Sequence, residues 1–353
     1  MPETLLPKTR IPIGHLLCFG WLPSFVKVWA YRSILGYRIG HHVRIAFGGI
    51  VVGRDVKLAD HVEIGLLAVV QGRHIRIGAH SSVGAMSYVS CEKIEIGEDA
   101  RIREQVYVGG PQLPESRFTL GNRTIVLQMA NINPTKPVTI GDDTGIGGHC
   151  LIFTHGAWLN ALDGYPVTYA PVTLGNSVWL PWRVFVMPGA TIGDGSVIGA
   201  NSLVSGDIPP YSLAVGTPAK VIRSAPAFPT PLSSEDRATL VATIVSEFDR
   251  VVQHDAVRIT TSGATRTYTR PDGRGWKLHW VHAEMTALPM VEREDTILSE
   301  RALLEGDRGE LQGLGAYWLD LAGRTRSVGG SPLTEELALF LGRYGIRLPR
   351  DRG

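Results

Sequence analysis

A mainly β chain is predicted, with a helical cap at its start, a coiled repeat through its middle and a small α+β domain at its end. Three observations predict it. Pairs of an aliphatic residue followed by Gly begin at Ile39, Val52, Ile64, Ile77, Val83, Ile96, Val108, Leu120, Ile140, Ile146, Leu174, Ile192 and Ile198, mostly 6, 12, 13 or 18 residues apart. This six-residue period is neither the helical 3.6 nor strand alternation. Composition changes along the chain: residues 1–225 hold 28 of the 41 glycines and are about 15% charged, whereas residues 226–353 are about 27% charged, as an ordinary globular domain is. The seam between the two is rich in Pro (Pro226, Pro229, Pro231), a linker signal.

The order of elements follows from these. Residues 1–35 form an apolar cap segment. Its uncharged stretch, Ile11–Val26, falls short of the roughly 20 residues that span a bilayer and is interrupted by Pro12, His15 and Pro23. Lys8 and Arg10 precede it, but no small-x-small cleavage site follows, which argues against a signal peptide. A helix from about Ser24 is expected to cap the repeat, and a shallow contact with a membrane surface is the sharper alternative. Residues 36–225 are the repeat, 226–232 a linker and 233–353 the small domain. There, Ser233 and Asp236 approximate a capping signal, with Leu240, Ile244, Phe248 and Val251 on one face of the helix that follows. Strand-like runs are read at 256–261, 266–269, 276–282 and 315–321, and a last helix at 334–344. His279 and His282 read as structural.

The repeat itself implies a coil with flat faces and tight corners. Each sixth aliphatic residue points inward and stacks on its counterpart in the next coil, and the following Gly is expected to let the backbone turn. No coil has enough core alone, so stability comes from stacking. A glycine-rich β-sandwich would not keep this register.

Over residues 36–223 the chain resembles the hexapeptide-repeat acyltransferases, closest to the maltose, galactoside and xenobiotic acetyltransferase group. The residues that carry the resemblance are the ordered strings 171–179, 187–202 and 207–223, the last reading Asp-Ile-Pro-Pro-Tyr-Ser-Leu-Ala-Val-Gly-Thr-Pro-Ala-Lys-Val-Ile-Arg. The resemblance implies a left-handed parallel β-helix with three hexapeptides per coil. It also implies acetyl-CoA as donor and a homotrimer with sites between subunits.

Two segments break the rhythm, 110–120 and 154–171, and loops that leave a rigid scaffold commonly carry function. His155 opens the second. In the resembling enzymes a His followed by an extruded loop acts as general base, and an imidazole suits that role near neutral pH. The resemblance puts Trp182, Ala200, Ser205, Gly206, Lys220 and Arg223 at coenzyme-contact positions, the last two supplying charge for phosphates. Here Trp182 stands where small residues are usual, and either narrows the pantetheine slot or stacks on a larger group. Gly206 replaces a common Lys, and Asn201 a common Gly. For the acceptor, Trp158, Asn160, Asp163 and Tyr165 in the loop offer a stacking face and hydrogen bonds suited to a sugar ring, with Asn131 and Asn133 candidates for the same groove. Asp142 and Asp143 read as corner residues. A backbone carbonyl is a candidate for orienting His155.

The net charge of +2 gives no footprint for nucleic acid, and the three cysteines, Cys18, Cys91 and Cys150, form neither a disulfide framework nor a zinc cluster. A reducing, cytoplasmic setting follows, with attachment at the inner membrane as a variant. The pairs His74/His80 and His149/His155, each six apart, could stack on one face, but the His-x4-His spacing of zinc-binding relatives is absent, so no metal is expected. The resulting expectation is a CoA-dependent acyltransferase that O-acetylates a sugar or polysaccharide precursor. N-acylation of an amino sugar or nucleotide sugar, and a non-catalytic scaffold, are the alternatives. The second domain would shape acceptor choice or assembly.

Overall fold

The computed structural model describes residues 12–110 and 113–351; the basic residues Lys8 and Arg10 and part of the first rhythm break, at 111–112, lie outside them. The chain divides into two compact units, residues 1–230 and 231–353.

The first unit is a left-handed parallel β-helix with three flat faces. Among the described residues, the first face runs from Arg38–Ile39 to Thr191–Ile192, the second from Arg44–Ile45 to Leu213–Val215 and the third from Ile50–Val52 to Leu203–Val204, all with parallel neighbours. Inward residues form columns. Ile45, Ile64, Val83, Ile102, Val126, Ile146 and Leu180 stack along the second face, each in register with the next and all buried. The first four are 19 residues apart, so a coil is three hexapeptides plus one residue.

The glycines act differently from the expectation. The Gly after each inward aliphatic keeps a negative φ at most coils, and a Cβ on Gly65 or Gly84 would lie 2.5–3.0 Å from backbone of the next coil. These glycines therefore allow coils to approach, while the left-handed turns fall to other residues. His42, His61 and His80 take them at one corner, with φ of 55°, 57° and 58°. Such a conformation is unfavourable for L-residues. Here it is held by hydrogen bonds, His61 N–H to His41 C=O (2.9 Å) and His80 N–H to Asp60 C=O (3.0 Å). The three imidazoles stack at centroid distances of 4.8 and 4.6 Å.

The same corner is tied by side chains. Asn122, Asp142, Asn176 and Asp194 each use Oδ1 to accept the backbone N–H of the coil before (2.8 Å each). Asp142 and Asp143 are thus corner residues, Asp143 also holding Arg123 through two 2.8 Å bonds. Buried hydroxyls form a second ladder: Thr144 Oγ1 donates to Gly175 C=O (2.8 Å) and accepts from Val178 N–H (3.1 Å). Thr144→Val would strand both groups. We expect a loss of about 2–4 kcal/mol, read as a lowered urea midpoint.

Both ends of the helix are finished. At the start, α1 (Ile13–Phe19) and α2 (Ser24–Ser33) pack beside the first coil. Lys27, fully buried on α2, donates to the carbonyls of Ala46 and Gly49 (2.9 Å each) and Gly20 (3.4 Å). Burial lowers its pKa to about 8. At the other end, Lys220–Arg223 folds back antiparallel on Leu213–Val215 and covers the last strand of the second face.

In the second unit a six-stranded sheet keeps sequence order: Arg258–Ser262, Thr265–Thr269, Gly275–Val281, Thr296–Ser299, Tyr317–Asp320 and Thr325–Arg326. α3 (Ser234–His254) and α5 (Pro332–Leu341) share one core with it, through Ile244, Phe248, Leu337 and Leu341. α4 (Glu305–Leu314) packs through Leu311 in a separate cluster with Ile297 and Trp318. The capping at Ser233 is present, its Oγ accepting Asp236 N–H at 3.0 Å. The buried face of α3 is rotated from the expected one: Val241, Ile244, Val245 and Phe248 are inside, while Leu240 and Val251 are exposed. His279 bonds Asp295 (2.8 Å) and Thr265 (3.1 Å), and His282 bonds Glu300 (3.1 Å).

Candidate active site

His155 follows the third-face strand Leu151–Phe153 and stands at the base of the long excursion. His155–Gly156 pairs antiparallel with Thr168–Tyr169, so this two-residue ladder closes the loop like a clasp. The residue before it is anchored in the coil. Buried Thr154 donates through Oγ1 to Asn133 C=O (2.7 Å) and accepts from Lys136 N–H (2.9 Å), and its own carbonyl accepts from Ala170 N–H (3.0 Å). The imidazole is half-buried and stacks on Tyr169 at 5.7 Å with an interplanar angle of 21°. Its Nδ1 is buried without a hydrogen-bond partner among the described residues, so the carbonyl expected to orient it is not in place. A buried imidazole nitrogen left unpaired is costly.

The loop beyond the clasp is presented to solvent. Trp158 is 97% exposed, and Asp163 and Tyr165 are exposed as well. Asn160 serves the loop's own structure. Its Oδ1 caps the short 3-10 turn Ala161–Asp163 by accepting Leu162 N–H at 3.0 Å, and Gly164 ends that turn at φ 85°. Leu162, 95% exposed beside Trp158, went unread in the sequence. Asn131 and Asn133 lie one coil below Leu151 and Phe153. Asn133 Oδ1 is occupied by Thr135 N–H and Oγ1 (3.2 and 2.7 Å), whereas Asn131 faces outward.

The coenzyme positions fall into three places. Trp182 and Ala200 occupy the corner that precedes the third face, in successive coils, with Asn201 N–H bonded to Trp182 C=O at 3.1 Å. Trp182 lies across Gly148, where any Cβ would strike its ring, and 5.8 Å from His149. The signal was the Gly147–Gly148 pair opposite Pro181–Trp182, hidden because the excursion puts them 34 residues apart. Ser205 and Gly206 are exposed at the far edge of the third face, on the corner that also carries His155 two coils earlier, roughly 10 Å along the stack. Lys220 and Arg223 are exposed on the terminal strand. Within one chain, then, His155 and Trp182 sit at opposite edges of the third face. Six residues separate His155 from His149 beside Trp182, a span of up to ~20 Å.

The histidine pairs six apart do not stack. A hexapeptide is one face, so residues six apart lie on neighbouring faces, and partners come a whole coil apart, as His61 and His80 do. Among the described residues no three His, Cys, Asp or Glu gather as a metal-binding group. Burial pushes the Cys91 and Cys150 thiols up to about 12 and about 11, so neither is a thiolate near neutral pH.

Coils, corners and excursion together have the architecture of a left-handed β-helix built from hexapeptide repeats. The chain's sequence runs with acetyltransferases. It is 40% identical over 108 residues to the galactoside O-acetyltransferase of Escherichia coli (strain K12), covering 27% of this chain and 49% of that one. A Staphylococcus aureus (strain MRSA252) relative with an acetyltransferase designation is 58% identical over 53 residues, 15% of this chain and 27% of its own. The chain thus spans about a quarter to a half of the length of these curated relatives. No family model matches it. Among solved structures, a hexapeptide-repeat acetyltransferase of Vibrio cholerae complexed with acetyl coenzyme A aligns at 21% identity and TM-score 0.29, over 60% of this chain and 83% of its own. A UDP-N-acetylglucosamine acyltransferase of Bacteroides fragilis aligns at 17% and 0.42, over 59% and 86%.

Proposed function

We propose that the chain is a CoA-dependent acyltransferase that moves acetyl from acetyl-CoA to a hydroxyl of a sugar or polysaccharide precursor, with His155 as general base. The observation that carries this reading is the part-exposed imidazole of His155 at the clasp of an exposed aromatic loop, on a scaffold that runs in sequence with acetyltransferases. In the proposed step the acceptor oxygen attacks the thioester carbonyl carbon while the imidazole takes the hydroxyl proton. A backbone N–H holds the tetrahedral oxyanion. The C–S bond then breaks, and the leaving thiolate takes the proton from His155 as coenzyme A thiol. The direct transfer agrees with the raised thiol pKa values, which leave no cysteine nucleophile in the solenoid core.

Trp182 and Ala200 would hold the pantetheine arm and Lys220 and Arg223 the phosphates; the last two have no ion-pair partner among the described residues. Because one chain keeps His155 and Trp182 at opposite edges of a face, a complete site is formed when copies associate, in line with the trimer the family resemblance implies. Thiol release from acetyl-CoA, followed over a panel of sugars and amino sugars, tests the reading. Lys220→Ala/Arg223→Ala is expected to raise KM for acetyl-CoA by roughly 10–100-fold at little changed kcat. Failure of the chain either to bind coenzyme A or to consume acetyl-CoA with any acceptor would overturn it.

A further inference from the structure

The base of the solenoid carries a surface that the transfer reaction does not use. Ile13, Leu17 and Trp21 follow one another at four-residue steps along and beyond α1, and Phe25 and Trp29 do so on α2; all five are 57–77% exposed. The opposite side of α2, with Lys27, Val28 and Tyr31, is buried. The apolar surface continues on the adjoining corner, where Phe47, Leu66 and Leu67 are exposed, and Gly48 N–H to Gly20 C=O (2.7 Å) fixes α1 beside it. Scattered exposed apolar residues need no explanation, but a contiguous group with two Trp and two Phe marks an interaction site.

Charge identifies the partner. Residues 12–54 contain Lys27, Arg32, Arg38, Arg44 and Arg54 and no Asp or Glu. Lys27 is buried and Arg32 is bound to the carbonyls of Ile39 and Gly40. Arg38, Arg44 and Arg54 are exposed; Arg38 pairs with Asp55 (2.8 Å) and Arg44 with Glu63 (3.7 Å), so over residues 12–63 six Lys and Arg stand against three Asp and Glu and the net charge stays positive. An apolar centre with Trp and Phe, bordered by arginines whose charge exceeds that of the neighbouring carboxylates, matches the interfacial layer of a bilayer bearing anionic headgroups. A second copy placed base to base would bring two cationic rims together. Nor is this a span: α1 and α2 are 7 and 10 residues long, neither long enough to cross a bilayer, and they bend by 118° at their junction.

We infer that the N-terminal cap docks the solenoid, base down, on an anionic membrane surface. This does not rest on the catalytic reading. The test is flotation of the full chain with vesicles of phosphatidylcholine containing about a quarter phosphatidylglycerol, against vesicles of phosphatidylcholine alone. Binding is expected to the anionic vesicles and to weaken with added salt. Phe25→Ser/Trp29→Ser, which alters exposed side chains only, should lower it roughly tenfold or more, and Arg44→Gln/Arg54→Gln should lower it while weakening the salt dependence. Circular dichroism of each variant confirms that the fold is kept. The inference is overturned if the wild-type chain does not float with anionic vesicles. It is also overturned if Phe25→Ser/Trp29→Ser floats unchanged, or if that variant changes only the oligomeric mass by light scattering, which would make the face a contact between copies.

Discussion

His155→Ala is expected to lower kcat/KM for acetyl transfer by about 10²–10⁴-fold, the usual worth of a positioned general base, while coenzyme A binding and the melting temperature stay nearly unchanged. The stability half of this expectation comes from the anchoring of the clasp. Thr154, not His155, holds the backbone to the coil, and the imidazole gives up one stacking contact with Tyr169 and a nitrogen that had no partner. The check is steady-state kinetics with a true acceptor beside isothermal titration with coenzyme A. If His155→Ala turns over at the wild-type rate, the base lies elsewhere and the clasp only shapes the loop.

Lys27→Met is expected to cost about 2–4 kcal/mol near neutral pH, the range for removing one partner of a buried charged hydrogen-bond group. The ammonium binds three carbonyls at the junction of cap and first coil, and a thioether of similar length fills its volume but donates nothing. A pH dependence separates this from simple repacking. Burial lowers the Lys27 pKa to about 8, below its ordinary value of 10.5. Below pH 8 the group is protonated both folded and unfolded and contributes no slope. Between 8 and 10.5 the unfolded chain holds the proton that the folded chain releases, so wild-type stability rises with pH relative to the variant. The melting-temperature difference between wild type and Lys27→Met should therefore widen from pH 7 to pH 10. A difference that stays constant would mean that Lys27 is not desolvated.

The repeat was legible because its physics is periodic: inward Ile, Val and Leu recur wherever a face needs core, and the string 171–223 keeps that order over three coils. What the six-residue count hid was the coil. His149 and His155 look like partners at six but stand on different stretches of the surface, while His42, His61 and His80 at nineteen form a stack that no short spacing reveals. The glycines misled in a related way, since the space they save is between coils, whereas the left-handed turns are made by His, Asp and Arg held from above and below. Lys27 was illegible because nothing in an apolar helix distinguishes a buried ammonium from an exposed one; its acceptors come from residues 20, 46 and 49. In the second unit, α4 was missed behind Gly306, Gly309 and Gly313, poor helix formers. Its partner strand Thr296–Ser299 was missed because four residues between polar loops carry little pattern. At the site, the aromatic loop and His155 were readable from broken rhythm, but the cap that Asn160 makes and the seat of Trp182 over Gly148 depend on contacts across the excursion.

One consequence follows from how the stack ends. A parallel coil is a template with no natural stopping point, because its last strand offers the same unpaired amides as every strand before it, and such edges recruit other chains. Here the antiparallel return of Lys220–Arg223 turns that edge back on itself, while α2 seals the opposite end. On the second face, therefore, the addition of a further parallel strand is stopped. The same short strand carries the two cations proposed to grip the donor, so that proposed site would be complete only once the last coil is in place.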